Sequence, residues 1–366
     1  MEIKELKELL SKAEDPRRTD RGNIRHKLED IIIIGLCTLI CNGEDFCDME
    51  DFGNEREEYL KNFLELPNGI PDSDTFRRVF ERLNPNALSE CLHDWLNFNR
   101  KDGSVIAIDG KTIRGSENHE HKAYHVLSAF VAENQITLGE LTVDEKSNEI
   151  TAVPELLNML DIENSIITAD AMSCQRNIVE KITEKKADYV ITLKGNQHAL
   201  SRDVSLYFND FDDEISEIID REKNHGRIEK REYGLLTDIS WLPDRDKWKG
   251  LNAIGRVRAT VTEKDTTSVS TRYFITSLTD NDRFAYAVRK HWSVENQLHW
   301  CLDVIFKEDD SRARKDNSPL NLNVMRKMAL ALCKNCQNEN LKKSSIQKRR
   351  YRASLNPEVL MSILFG

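Results

Sequence analysis

Asp109 closes the apolar run Val105-Ile106-Ala107-Ile108, and Asp170 closes a second run, Ile166-Ile167-Thr168-Ala169. Short apolar runs of this kind read as buried strands, so each delivers a carboxylate to one edge of a sheet. A carboxylate beside apolar strands is costly unless a cation neutralises it, and two together repel unless they share a metal. The chemistry these residues point to is divalent-metal phosphoryl transfer.

A helix supplies a third acid. Arg283 to Phe306 reads as one long amphipathic helix without Pro or Gly, on which His291, Glu295, His299 and Asp303 recur every four residues as a polar stripe. Glu295 would then face the carboxylate edge. The same stripe also fits a hydrogen-bonded interface, and His291, Glu295 and His299 have the spacing of a zinc site. Cations and a polar amide surround the acids in sequence: Lys111 and Arg114 follow Asp109, and Lys194 and Asn196 follow the strand after that of Asp170, where phosphate contacts are the natural role. Arg227 and Arg231 are candidates for a terminal phosphate or a flipped base, with surface ion pairs as the plain alternative. Trp241, Trp248 and Trp292 could stack on bases or fill the core.

Positioning these groups takes a mixed sheet. Residues 1–97 read as helical, with apolar residues at helical spacing in Leu28 to Leu39, Tyr59 to Leu64 and Thr75 to Leu83. Asp72 and Ser73, just after Pro71, look like a helix start. Val105 to Ile108, Ala123 to Val131 and Ile136 to Val143 form a three-strand meander. Helix and strand then alternate to Leu193, as parallel α/β units do. Residues 199–282 break the rhythm, with an acidic helical stretch containing Asp210, Asp212, Asp213 and Glu214 and then strand-like Arg231 to Leu236, Ala253 to Thr262 and Ser270 to Ile275. A further helix runs from Asn321 to Cys333. The expected division is a helical N-terminal domain (1–97), a core in two parts (98–198 and 283–340) around a β-rich insertion (199–282), and a basic C-terminal segment (341–366).

Composition narrows the class. With 366 residues, 39% hydrophobic and 32% charged, the chain can bury a core and is not disordered. The apolar stretch Ile31 to Ile40 is too short to span a bilayer, and Met1 to Leu10 lacks signal-peptide character, so a cytosolic protein is expected. The eight cysteines then stay reduced, and Cys333 and Cys336, the one CxxC pair, have no second ligand pair for zinc. A net charge of −10 argues against a protein that merely coats nucleic acid. Basic clusters remain at Arg17, Arg18, Arg21, Arg25 and Lys27, and between Lys342 and Arg352 (Lys342, Lys343, Lys348, Arg349, Arg350, Arg352); each reads as a nucleic-acid surface or as solvated charge.

In this order the segments IAIDGKTIRGS, SNEITAVPELL, IITADAMSCQ, ADYVITLKGNQ, HGRIEKREY and HWSVENQLHWCLDVIFKEDDSRARKDN span most of the chain. The sequence resembles the H-repeat-associated transposases of bacterial insertion sequences, a branch of the DDE transposase family. The resemblance implies an RNase H-like fold, with Asp109, Asp170 and Glu295 in the two aspartate places and the glutamate place. It also implies two Mg²⁺ (or Mn²⁺) ions as cofactor and a β-rich insertion before the glutamate. Counted from Glu295, the family's Tyr, Arg and Lys places hold Val288, His291 and Leu302, so His291 takes the arginine's place. Two divalent ions about 3.5 to 4 Å apart would activate a water or 3′-hydroxyl and stabilise the leaving oxygen. Asp109 would bridge them, with Asp170 and Glu295 each holding one.

The expected activity is DNA strand cleavage and strand transfer by a DNA transposase acting on double-stranded DNA, both element ends and target, as a homodimer or higher synaptic complex. The other readings are a transposase-derived DNA-binding protein that does not cut, and a stand-alone nuclease.

Overall fold

The computed structural model describes residues 3–365 except 19–21, 23, 97–100, 120, 144–148, 212–216, 225–226 and 265. Arg21, the Asp212, Asp213 and Glu214 group, and His225 with Gly226 therefore lie outside the described residues. The N-terminal stretch is helical: α1 (Ile3–Leu10), α2 (Leu28–Ile40), α3 (Phe46–Leu60), α4 (Ser73–Arg82) and α5 (Pro85–Leu96). Asp72 caps α4 as its sequence suggests, accepting a 2.7 Å bond from the Thr75 N–H. Twelve of the 13 residues of α2 are buried. A helix apolar all round sits inside a cluster rather than on its surface.

Val105 to Ile108 are at most 3% exposed, which puts β1 (Val105–Thr112) in the middle of a sheet. β2 (His125–Val131) pairs antiparallel with it and β3 (Ile136–Val143) antiparallel with β2. After α6 (Glu149–Met159), β4 (Ile166–Ala169) lies parallel on the other side of β1; after α7 (Arg176–Glu184), β5 (Asp188–Leu193) lies parallel to β4. α8 (His198–Asp210) leads into four antiparallel strands, β6 (Glu217–Asn224), β7 (Arg227–Leu236), β8 (Ala253–Glu263) and β9 (Thr266–Thr276). Tyr273 to Thr276 of β9 pair with β5, so the described strands form one nine-stranded sheet, β3-β2-β1-β4-β5-β9-β8-β7-β6. The first seven residues of β9 are exposed beyond that pairing. Sequence pattern does not predict β6: it reads EIIDREKN, the charged composition of an edge strand.

α6, α7 and α8 cover one sheet face, over Ile106, Ile108, Ile167 and Ile191. α9 (Asn281–His291) covers part of the other, with Phe284 pressed against Gly255. The third apolar cluster joins α1 to α5 with α10 (Ser318–Asn335), which is followed by α11 (Glu339–Lys342), α12 (Ile346–Leu355) and α13 (Pro357–Phe365). Cys333 and Cys336 are buried in it as free thiols. No helix among the described residues is long and apolar enough to cross a membrane.

The Lys342 to Arg352 stretch is partly internal. Arg349 donates to the Ser344 (3.0 Å) and Lys342 (2.8 Å) carbonyls and to that of Cys333. Arg350 donates to the Leu39 carbonyl through Nε (3.1 Å) and Nη2 (2.9 Å) and to the Ile305 carbonyl through Nη1, with its guanidinium 4.0 Å from the Phe306 ring centre. It therefore satisfies the last turn of α2 and the end of the helical segment bearing Glu295. Arg350→Ala orphans both carbonyls and should cost about 1–3 kcal/mol for each. Urea midpoints should show that loss, and Arg350→Lys should recover less than half of it, because one ammonium cannot reproduce a planar fork.

Candidate active site

Ile108 of β1 stands opposite Ala169 of β4, so the next residues, Asp109 and Asp170, come side by side where the parallel pairing of the two strands ends and β4 stops. That edge is the usual binding position of an open α/β sheet. Asp170 also shapes its own turn: its Oδ1 accepts the Met172 N–H at 2.9 Å. Asn196 donates to the Ala171 carbonyl at 2.7 Å and holds the same turn in place.

The polar stripe reaches this edge, but not on one regular α-helix. After α9 the chain stays helical, with π-turns over Val294–His299 and Cys301–Ile305. On an α-helix a four-residue spacing overshoots a full turn by about 40°, so three steps drift about 120°. The wider π-turns offset that drift and keep the stripe on the sheet. His291 Nδ1 lies 3.0 Å from Thr168 Oγ1, His299 Nδ1 lies 3.5 Å from Asp109 Oδ2, and Asp303 lies 2.7 Å from Lys111 Nζ. One ligand atom each of Asp109, Glu295 and His299 lie within 4.8 Å of one another. His291 is outside this group, so the zinc set of His291, Glu295 and His299 is not assembled.

Burial pushes the Asp109 carboxyl up to about 7, and Asp170, Glu295 and Glu149 add to the rise while the Gly110 N–H opposes it. Burial, with Lys327 and Lys111 nearby, pushes His299 down to about 3. Burial and then Arg272 lower His291 to about 4. Both rings are neutral at physiological pH, so His291 cannot replace an arginine's charge. Asp109, Glu295 and His299 thus form a donor set with excess negative charge, which suits a divalent cation.

Lys111, expected to meet phosphate, has a side chain only 10% exposed. Its ammonium contacts Asp303 (2.7 Å), Glu308 (2.8 Å) and Asp309 (3.7 Å). Burial works against its charge, but Glu308 and Asp303 outweigh that and hold its pKa above the usual range. Glu308 is fully buried and also accepts from Asn323 at 2.7 Å. Gly110 is required between Asp109 and Lys111, because a Cβ there would strike the His125 ring and the Glu149 carboxylate, themselves paired at 2.6 Å.

A cleft lined by Lys194, Arg272, His291 and Trp292 opens beside Asp170, and Arg272 and Trp292 continue it toward Arg227, Arg231 and Arg289. Lys194 is exposed there. Arg114 is exposed, 3.9 Å from Asp309. Arg231 is tied to Glu229 (2.7 Å) and Glu222 (3.2 Å), and Arg227 to Glu229 (3.2 Å). Arg272, whose guanidinium lies 4.7 Å from the centre of the exposed Trp292 ring, is not legible in sequence: it is a lone cation in a Ser/Thr-rich strand. Trp248 is core, and Trp241 stacks on Tyr207 at 4.3 Å.

A family model described as "Transposase DDE domain" matches residues 100–332, and one for a domain associated with it matches residues 7–96. "Putative transposase YncI" of Escherichia coli O157:H7 is 38% identical over all of this chain and 95% of its own length. "H repeat-associated putative transposase YhhI" of Escherichia coli (strain K12) is 37% identical over all of this chain and 99% of its own.

The raised Asp109 pKa has a stability consequence with a definite sign. Between its ordinary value of 3.8 and about 7 the folded chain holds a proton that the unfolded chain releases, so this contribution to stability is lost as pH rises through that window. Without divalent ions, Asp109→Asn should therefore gain stability relative to wild type from about pH 4 to 7 and level off above it, read from urea midpoints across pH. A difference flat with pH would contradict the buried-charge account.

Proposed function

The chain belongs to the DDE transposase family, and on that premise we propose that it cleaves DNA at the ends of an insertion-sequence element and joins them to a target. The observation that carries this reading is the placement of Asp109 and Asp170 one residue past the last paired residues of adjacent parallel strands, with a ligand atom of Glu295 within 4.8 Å of one of Asp109.

In this reading β3-β2-β1-β4-β5 is an RNase H-like core, β6 to β9 are its insertion, and the helices of residues 1–97 serve in binding element ends. Asp109, Asp170 and Glu295 would hold two Mg²⁺ or Mn²⁺ ions, hard cations suited to carboxylate oxygens, which supply Lewis acidity at the attacking and leaving oxygens. Glu295, the exposed member, orients the attacking water or 3′-hydroxyl. Lys194 and Arg272 bind backbone phosphates along the cleft, Arg114 does so at its other side, and Trp292 offers a stacking face. Arg227 and Arg231 lie farther out and would first have to exchange their carboxylate partners for phosphate. Lys111 positions Glu295 through Asp303 and Glu308, and Asn196 positions Asp170. His291 anchors the helix to Thr168. Both element ends must be held during joining, so the working form is a dimer or larger synaptic complex on DNA in the cytoplasm.

Inverted repeats flanking the gene supply the test substrate. Asp109→Ala, Asp170→Ala and Glu295→Ala should each lower Mg²⁺-dependent nicking and strand transfer by at least about 10³-fold, the scale of losing a principal electrostatic stabiliser, with mobility-shift affinity changed only a few-fold. A double Asp109→Ala, Asp170→Ala protein that still cuts would sink the proposal. Arg272→Ala should weaken DNA binding uniformly across sequences and reduce the salt slope by about 1.

A further inference from the structure

His299 is 9% exposed, and its Nε2 is buried with no hydrogen-bond partner among the described residues. Its Nδ1 is 3.5 Å from Asp109 Oδ2, long for a hydrogen bond. A buried ring nitrogen without a hydrogen-bond partner is costly. The neighbouring cations do not supply one: Lys111 is taken up by Asp303 and Glu308, and Lys327 by Glu140 and by Ser128 at 3.0 Å. His299 does share a neighbourhood with Asp109 and Glu295, one ligand atom of each lying within 4.8 Å of the others. A neutral imidazole always carries one lone-pair nitrogen, which can serve as a metal ligand.

We propose that His299 is a nitrogen ligand to the divalent ion held between Asp109 and Glu295, making this position select a first-row transition ion such as Mn²⁺ over Mg²⁺. The proposal rests on the metal-dependent reading above and adds a ligand and a selectivity to it. Imidazole favours transition ions, whereas an all-oxygen set suits Mg²⁺. Glu295 and His299, four residues apart, lie on one face of the helical segment, which runs through a π-turn at Val294–His299.

Mn²⁺ binding to the full chain without DNA tests this apart from catalysis. Electron spin-echo spectra of the Mn²⁺-loaded wild type should show ¹⁴N coupling from a directly bound nitrogen. His299→Gln should abolish that coupling and weaken Mn²⁺ binding by calorimetry about tenfold, with Mg²⁺ changing less than about threefold; His291→Gln should retain the coupling. Mn²⁺ bound in a manner that Asp109→Asn and Glu295→Gln abolish, yet without ¹⁴N coupling in the wild type, would overturn the role of His299 and leave the acid site standing. Mn²⁺ binding indifferent to Asp109→Asn and Glu295→Gln would overturn both.

Discussion

Lys111, two residues beyond Asp109 on β1, reaches Asp303 and Glu308, which flank the end of the helical segment carrying Glu295. An ammonium this enclosed would shed its proton or stay out of the interior if it lacked carboxylates. The buried pair thereby fixes the distance between the strand of the first acid and the helix of the third. Around it the packing leaves little slack: a Cβ at Gly115 would meet the Ser311 carbonyl at 2.6 Å, and Arg314 donates to the Gly115 carbonyl at 3.0 Å. The loop after β1 and the loop after the Glu295 helix act as one joint. The carboxylates of Asp109 and Glu295, which repel each other, are held together by contacts made a few residues away from each.

That arrangement accounts for what the sequence can and cannot disclose. Asp109 and Asp170 are legible because a carboxylate at the end of an apolar strand is too costly to keep there without a cation to meet it, and their lateral match follows from parallel pairing. The four-residue polar stripe is legible too, yet a regular helix would let it drift, and nothing local to Val294-Glu295-Asn296 announces a π-turn. Lys111 reads as a phosphate ligand in sequence because its partners Asp303, Glu308 and Asp309 lie about two hundred residues away along the chain. Among strands, β6 is invisible because an edge strand needs no apolar face.

Basic residues are the least legible class. A run such as Lys348-Arg349-Arg350 looks like a single patch, but its members divide by helical position between solvent and the interior, where Arg349 and Arg350 bind backbone carbonyls. Conversely Arg272 has no basic neighbour in sequence and gains its setting from β9, Trp292 and the cleft beside Asp170. Charge density along the chain and charge density on a surface are separate quantities.

Only the last four residues of β9 are anchored on β5, while its partner β8 accompanies it along its whole length. Seven residues at about 3.3 Å each carry this ribbon roughly 23 Å past the body of the sheet. It is a cantilever rooted on β5, with Arg272 at its base next to the anchored residues. Shortening it would alter how far the sheet projects beyond β5, while the span between Asp109 and Glu295 stays the same.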